Sequence, residues 1–442
     1  MFFFSYPTID QDTLKIEKAI ETKLTSDKRK AYEKYITMYL VTKEFIKKKK
    51  LLLYGGLAIN LSLPKTKRFY DDYELPDYDF FSYDAQKHAK ELADVYNRLG
   101  YEYIEVKPGI HDSTYKVFVD FQPVADITDI PRALFNTLMS LSMKEKHQVL
   151  RNNPNLDISI VPLSLLRLAF HIELSRPDGF IERWTKIYKR MVLFYSYYPL
   201  VYEECVSPLI EDDDSRVHEL NQAVIEYCKN HNLPLSGLEA LKIYMRNNNR
   251  TSQISDKAIL DKQMALLETI STDYETTTKQ LAKLLNTMCE ANERVSIKHH
   301  SPLNNSELIP KHYMISLETY VKTRKTSQRP LAIIYNSRAC YSYKKIDDLN
   351  VLTIDAILSM AYAYLFTKRN YYKKDKTKCM INILLNLQAQ HINSSKYIWK
   401  RFELECVGNQ PKIEDVKKQQ WHEKKAFMVY RPNITKSAPK KI

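Results

Sequence analysis

Two adjacent glycines, in a chain that has only seven, restrict the fold most narrowly: Tyr54-Gly55-Gly56-Leu57-Ala58-Ile59-Asn60. The apolar run Leu51-Leu52-Leu53-Tyr54 before them reads as a buried strand, and Ala58-Ile59-Asn60-Leu61 after them reads as the start of a helix. Gly55 and Gly56 therefore fall at a strand-to-helix turn. Without a Cβ the backbone there can take positive φ and let a ligand approach, while the free N–H groups of the helix start face an anion. A triphosphate meets that requirement. Further on, Asp77 and Asp79 alternate in Pro76-Asp77-Tyr78-Asp79-Phe80. On a strand both carboxylates point to one face, with Tyr78 and Phe80 on the other. Such a pair can hold two divalent cations, and two hard cations about 3.5 to 4 Å apart need a third carboxylate from a neighbouring strand. Asp126 is the candidate, flanked by Ala125 and Ile127 in a segment from Tyr115 to Thr128 that reads as strand, turn and strand. Asp120 reads instead as a turn residue, and Asp129, before Ile130-Pro131, as a residue leading into a helix.

Neither the glycine pair nor the Asp-x-Asp pair is specific alone. Their order and spacing together are: glycine turn, helix, paired aspartates, then an aspartate between apolar residues. With Pro-Asp-Tyr-Asp-Phe-Phe-Ser and Val-Ala-Asp-Ile-Thr, this stretch resembles the catalytic subunit of poly(A) polymerases from large cytoplasmic DNA viruses, the poxvirus and giant-virus group. The specific motifs span about residues 51 to 130. The resemblance implies an α+β fold, with a nucleotidyltransferase palm after a helical N-terminal extension and a second, degenerate nucleotidyltransferase-like domain behind it. It implies two Mg²⁺ or Mn²⁺ ions on Asp77, Asp79 and Asp126, ATP as substrate, and transfer of AMP to the 3′-OH of mRNA. It also implies triphosphate contacts from the helical region after the palm. There Arg183, Lys186 and Arg190 share one face of a basic helical segment, and Lys186 and then Arg183 are the first choices. A processivity subunit serves the poxvirus relatives, and a homodimer is the other arrangement considered. A CCA-adding, terminal uridylyl or second-messenger enzyme would share the glycine turn and three carboxylates, and a non-catalytic RNA-binding scaffold is the alternative outside enzymes.

Composition agrees with a polyanion partner. The 67 Lys+Arg against 53 Asp+Glu give a formal net charge of +14, which attracts nucleic acid in a salt-dependent way. The 32 tyrosines can stack on unpaired bases, although an A/T-rich coding sequence also enriches tyrosine. The six cysteines are scattered without a Cys-x-x-Cys, which argues against a zinc site and a disulfide framework and for a reducing compartment. No window approaches the length of apolar sequence that crosses a membrane, and Met1 to Pro7 lacks the basic region of a signal peptide, so the expected location is cytoplasmic.

Along the chain, residues 10 to 50 read as two helices, Ala85 to Leu99 as an amphipathic helix ended by Gly100, and Tyr101 to Val106 as a strand. The expected division is 1–48 for the helical extension, 49–205 for the catalytic domain, 206–430 for the degenerate one, and 431–442 for a basic tail. Glu211 to Ser215 reads as the linker. The second half looks like a decayed copy of the first: Gly237 aligns with Gly55, Glu268 with Asp79 and Leu266 with Asp77, and the segment from Val351 to Leu358 echoes that from Ile160 to Arg167. A leucine cannot bind a cation, so the copy is expected to be catalytically dead.

Overall fold

The computed structural model describes residues 9–109, 113–200, 215–248, 266–302, 308–337, 339–367, 369, 371–422 and 429–432. The acidic stretch at 211–214, the opening residues 1–8 and the basic tail beyond 432 lie outside the described residues. The chain forms two compact units, one of residues 1–129, 139–161 and 420–442, the other of residues 130–138 and 162–419.

The first unit begins with one helix, α1 (Ile9–Lys49), where the sequence reading expects two. No glycine or proline interrupts this span. The Thr25 hydroxyl, instead of breaking the helix, donates back to the Glu21 carbonyl at 2.8 Å, one turn earlier. The C-terminal part of α1 buries Met38, Tyr39, Phe45 and Ile46. There the Tyr96 hydroxyl donates to the Met38 carbonyl at 2.7 Å and lies 2.7 Å from the Thr42 hydroxyl. Next come β1 (Leu52–Leu53), α2 (Gly55–Ser62), β2 (Tyr78–Ser82), α3 (Ala85–Arg98), β3 (Glu105–Pro108), β4 (Thr114–Val119) and β5 (Gln122–Asp129). After α4 (Arg132–Asn152), β6 (Ser159–Ile160) completes a six-stranded sheet in the order β3-β4-β5-β2-β1-β6. The strand expected from Tyr101 is confined to β3, because Tyr103 takes φ +50° and turns the chain. Asp120 sits at φ +48° in the turn between β4 and β5, as its reading required. Asp129 does serve a helix, but through α3: its Oδ1 accepts from the Ala85 N–H at 3.0 Å. Leu52, Leu53, Phe80, Val117 and Ile127 are buried without measurable exposure. The last described residues return to this sheet, where Tyr430 exchanges two 2.9 Å backbone hydrogen bonds with Val106 at the outer strand β3.

The second unit contains α5 (Leu163–Leu174), α6 (Trp184–Tyr197), α7 (Ser215–Asn230), β7 (Leu235–Ser236), α8 (Gly237–Arg246), β8 (Leu267–Ser271) and α9 (Tyr274–Thr287). Strands β9 (Glu293–His300), β10 (His312–Val321), β11 (Arg324–Asn336), β12 (Tyr341–Ile346) and β13 (Leu349–Leu352) follow. The unit ends with α10 (Ile354–Tyr364), α11 (Lys374–Gln390), β14 (Cys406–Val407) and α12 (Ile413–His422). Its sheet runs β14-β12-β13-β7-β8-β11-β10-β9. From β13 to β9 this repeats the first sheet read backwards, strand for strand, including which neighbours are parallel. The register bears out the alignment: Leu53 lies opposite Ile160, and Leu235, two residues before Gly237, lies opposite Val351. A small device recurs as well. Ser82 Oγ accepts from the Asp84 N–H and meets His88 at the start of α3, and Ser271 Oγ does the same with the Asp273 N–H and Thr277 at the start of α9.

One feature departs from the cysteine reading. Cys340 and Cys406, far apart in sequence, form a disulfide, because the pairing of β12 with β14 brings their Cα atoms to 5.2 Å. No helix among the described residues is long and apolar enough to cross a membrane.

Gly237 opens α8 at φ +61°, and a Cβ there would collide with the Glu268 carboxylate. Gly237→Ala should therefore lower the unfolding free energy by about 1–3 kcal/mol, the cost of a non-glycine residue held in that region. Urea unfolding measures it, and an unchanged midpoint would mean that the turn relaxes freely.

Candidate active site

The sheet of the first unit carries its polar cluster on one face. Asp79 lies directly opposite Asp126 in the parallel pairing of β2 with β5, and Asp77 stands immediately before β2, two residues from Asp79 and therefore on the same side. One carboxylate oxygen from each of Asp77, Asp79 and Asp126 lies within 4.8 Å of the other two. The opposite face is apolar and buried, with Phe80 and Ile127 packed into the core. Alternation sets Asp77 and Asp79 on one face, as the sequence pattern anticipates, and the pairing of β2 with β5 adds Asp126.

Gly55 starts α2 at φ +72°, with Tyr54 before it extended at φ −133°. A Cβ at Gly55 would collide with Asp79 Oδ2. The absence of a side chain thus does two things at once: it allows the turn and it lets the helix N-terminus reach the carboxylate cluster. The Tyr54 N–H donates to the Asp79 carbonyl at 2.8 Å, locking the turn onto β2. Its ring stacks on Phe81 with centroids 4.1 Å apart, and its hydroxyl is 2.8 Å from the Thr128 hydroxyl. The α2 helix begins at Gly55 itself, earlier than the Ala58 start read from the sequence.

A fourth residue belongs to the cluster and escapes the sequence reading. Lys116, opposite Asp126 in the antiparallel pairing of β4 with β5, bridges Asp126 Oδ2 through its ammonium. The sequence carried no signal for it: counting back from the hairpin turn at Asp120-Phe121 sets Tyr115 across from Asp126, and a bulge between Val117 and Phe118 shifts the register by one so that Lys116 faces it instead. Asp126 Oδ1 is buried and has no hydrogen-bond partner. An orphaned carboxylate oxygen in a cluster with two further carboxylates fits a divalent cation, which takes hard anionic oxygens. Among the described residues one other acidic or sulfur cluster meets the same distance criterion, Asp178 with Cys340 and Cys406, and the disulfide occupies its two sulfurs.

Electrostatics follow from this crowding. Burial raises the Asp77 carboxyl above its ordinary value of 3.8, the Asp126 charge raises it further, and Lys116 opposes both. Burial and, to a lesser degree, the Asp77 charge push the Tyr39 phenol up to about 12, so it stays protonated and donates to the Pro123 carbonyl at 2.9 Å.

The two basic residues expected near the triphosphate belong to the second unit. Arg183 ends a short 3-10 turn before α6, is exposed, and lies 3.6 Å from Glu173. Lys186 is exposed on the first turn of α6. The structure thus brings Gly55, Asp77, Asp79 and Asp126 into one cluster, with Gly56 as the second residue of α2, and it holds Arg183 and Lys186 on another unit.

The copy in the second unit retains the scaffold without the charges. Gly237 abuts Glu268 as Gly55 abuts Asp79, but Leu266 stands at the place of Asp77 and Ile333 faces Glu268 where Asp126 faces Asp79. Tyr335 and Tyr364 donate to the buried Glu268 carboxylate. Among the described residues no second carboxylate stands at the positions that match Asp77 and Asp126.

Comparison with known proteins agrees. Residues 40–168 match the family described as poly(A) polymerase catalytic subunit. Over 413 residues the chain is 22% identical to an Acanthamoeba polyphaga mimivirus protein named as a poly(A) polymerase catalytic subunit, covering 87% of this chain and 63% of that protein. Over 186 residues it is 35% identical to an African swine fever virus protein of the same name, covering 40% of this chain and 37% of that one. The chain therefore spans less than two thirds of either viral relative. The crystal structure of the Megavirus polyadenylate synthase shares the fold with a TM-score of 0.79 at 18% identity, over 97% of this chain and 87% of that one. The resemblance read from the motifs is thereby borne out, and the α+β fold is that of the Megavirus synthase, with a second sheet that repeats the order of the first.

The raised Asp77 carboxyl has a pH consequence. The folded chain keeps this proton at pH values where the unfolded chain has released it, so the stability it contributes is present at low pH and is lost as pH rises through the raised value. In metal-free buffer Asp77→Asn should melt above the wild type at pH 7, with the advantage gone below about pH 4. An advantage independent of pH would dissociate it from ionisation.

Proposed function

We propose that this chain is a template-independent polynucleotide adenylyltransferase, which transfers AMP from ATP to the 3′-OH of RNA and releases pyrophosphate. The observation that carries this is the intact carboxylate cluster on the glycine-turn palm, set against its loss at the corresponding positions of the copy. The family match over residues 40–168 supports the choice of adenylyl transfer among nucleotidyl transfers.

Asp77, Asp79 and Asp126 would hold two divalent cations, Mg²⁺ or Mn²⁺. When bound, such ions supply charge neutralisation at the phosphates and acidify the attacking hydroxyl. The protein's own part is placement. The turn at Gly55-Gly56 brings the N–H groups of the α2 start to the triphosphate, where they meet negative charge favourably. Asp126, whose Oδ1 has no other partner, receives the proton of the RNA 3′-OH as that oxygen forms its bond to the α-phosphorus. The bond from the α-phosphorus to the bridging oxygen breaks, and pyrophosphate leaves. Lys186 and Arg183 meet the β and γ phosphates. The message of a large DNA virus in the host cytoplasm is the RNA that this reading assigns, and a homodimer or a processivity subunit is the partner it admits.

The test is incubation with Mn²⁺ or Mg²⁺, a short labelled RNA and each nucleoside triphosphate in turn. Extension with ATP alone is expected, reduced at least about a thousandfold in Asp77→Ala/Asp79→Ala, since the cations contribute several kcal/mol. Extension by UTP or CTP instead would assign a different transferase, and unimpaired extension by the double variant would remove the cluster from the chemistry. Lys186→Ala should raise the KM for ATP about tenfold, the scale of one charge-assisted hydrogen bond. An unchanged KM removes Lys186 from the phosphate site.

A further inference from the structure

Lys116 has a counterpart in the copy, and the comparison is informative. In the first unit Lys116 faces Asp126, and Asp126 faces Asp79. In the second unit Met314 faces Ile333, and Ile333 faces Glu268. Register therefore sets Met314 in the place of Lys116. Where two of the three carboxylates have gone, the lysine has gone with them, although the strand that carried it persists. A lysine needed only for the hairpin or for solubility would have no reason to follow the acids.

Its geometry suggests what it does. The ammonium bridges Asp126 Oδ2, leaving Oδ1 buried and unpartnered. The Asp126 side chain is only 15% exposed, whereas that of Lys116 is 30% exposed, so the lysine can swing toward water while the aspartate cannot. Three carboxylates in one part-buried cluster repel one another, and a single positive charge on a flexible stem relieves that repulsion when no metal does.

We propose that Lys116 is a place-holding cation: it neutralises Asp126 in the metal-free protein and competes by its charge with divalent ions for that carboxylate. It thereby sets the metal affinity of the site as a positioning residue, without touching the reacting atoms. This rests on the metal-dependent reading above.

The test is Mn²⁺ binding by calorimetry on the full chain, without RNA or nucleotide, for wild type, Lys116→Met and Lys116→Arg. Lys116→Met places in β4 the residue that the copy already carries on the matching strand, and circular dichroism checks that it folds. It should bind Mn²⁺ about tenfold more tightly, the size expected when one competing charge leaves a part-solvated site. Lys116→Arg, which keeps the charge, should stay near the wild type. In an Asp126→Asn background the difference between lysine and methionine should vanish. Equal or weaker affinity in Lys116→Met, with Mn²⁺ still bound by wild type, overturns this inference alone. Failure of wild type and variant alike to bind Mn²⁺ overturns it together with the metal-dependent reading. If Lys116→Met does not fold, an Mn²⁺ affinity of Lys116→Arg far from that of the wild type would equally refute a pure charge competition.

Discussion

Mutual repulsion among three carboxylates is the constraint around which the first unit is built. One oxygen from each lies within 4.8 Å of the other two, and a cluster of like charges in a part-buried setting opposes folding unless the backbone holds it in place. The holding is done by rigid elements. Asp79 and Asp126 are fixed by a parallel ladder whose other face is core, and the glycine turn is locked to β2 by a backbone hydrogen bond from Tyr54. The cluster is thus strained toward a cation and braced against relaxing. Preorganisation of this kind is useful in catalysis because the cost of assembling the charges is met during folding and not during the reaction.

The copy tells what the scaffold needs when that task is absent. It retains the glycine with positive φ, the helix it opens, the serine that accepts from the N–H of the residue capping the next helix, and one carboxylate beside the turn. Around that carboxylate the environment has changed from polar and open to sealed. Burial raises the Glu268 carboxyl, and the hydroxyls of Tyr364 and Tyr335 oppose the shift by hydrogen bonding. A carboxylate that stands in an acidic cluster in one half has become a core hydrogen-bond acceptor in the other. Both halves therefore solve the same packing problem, and only one keeps its charges accessible.

Much of this was legible in the residues because it depends on periods and local chemistry. The alternation of Asp77 with Asp79, the glycine turn, the apolar flanks of Asp126 and the alignment of Gly237 with Gly55 all follow from rules that act over a few residues. What the sequence concealed depends on tertiary partners. Thr25 and its polar neighbours look like a helix break, yet the hydroxyl folds back on the helix. The nearness of Cys340 to Cys406 is set by strand pairing, which no spacing rule reveals. Lys116 was hidden for a subtler reason: a bulge between Val117 and Phe118 shifts the hairpin register by one, and only that shift sets the lysine across from Asp126.

The return of Tyr430 to β3 bears on how the molecule is made. The six strands of the first sheet have all been synthesised by Ile160, but the backbone partner of Val106 arrives only with Tyr430, which also donates to Asp94 at 2.6 Å. During synthesis the outer strand therefore stands open while the whole second unit emerges behind it. Such an edge offers unpaired N–H and C=O groups to any passing strand, and contacts between residues far apart in sequence form slowly. The interval between the two events is a window for misassembly, and its length is fixed by where in the gene the closing residue was placed.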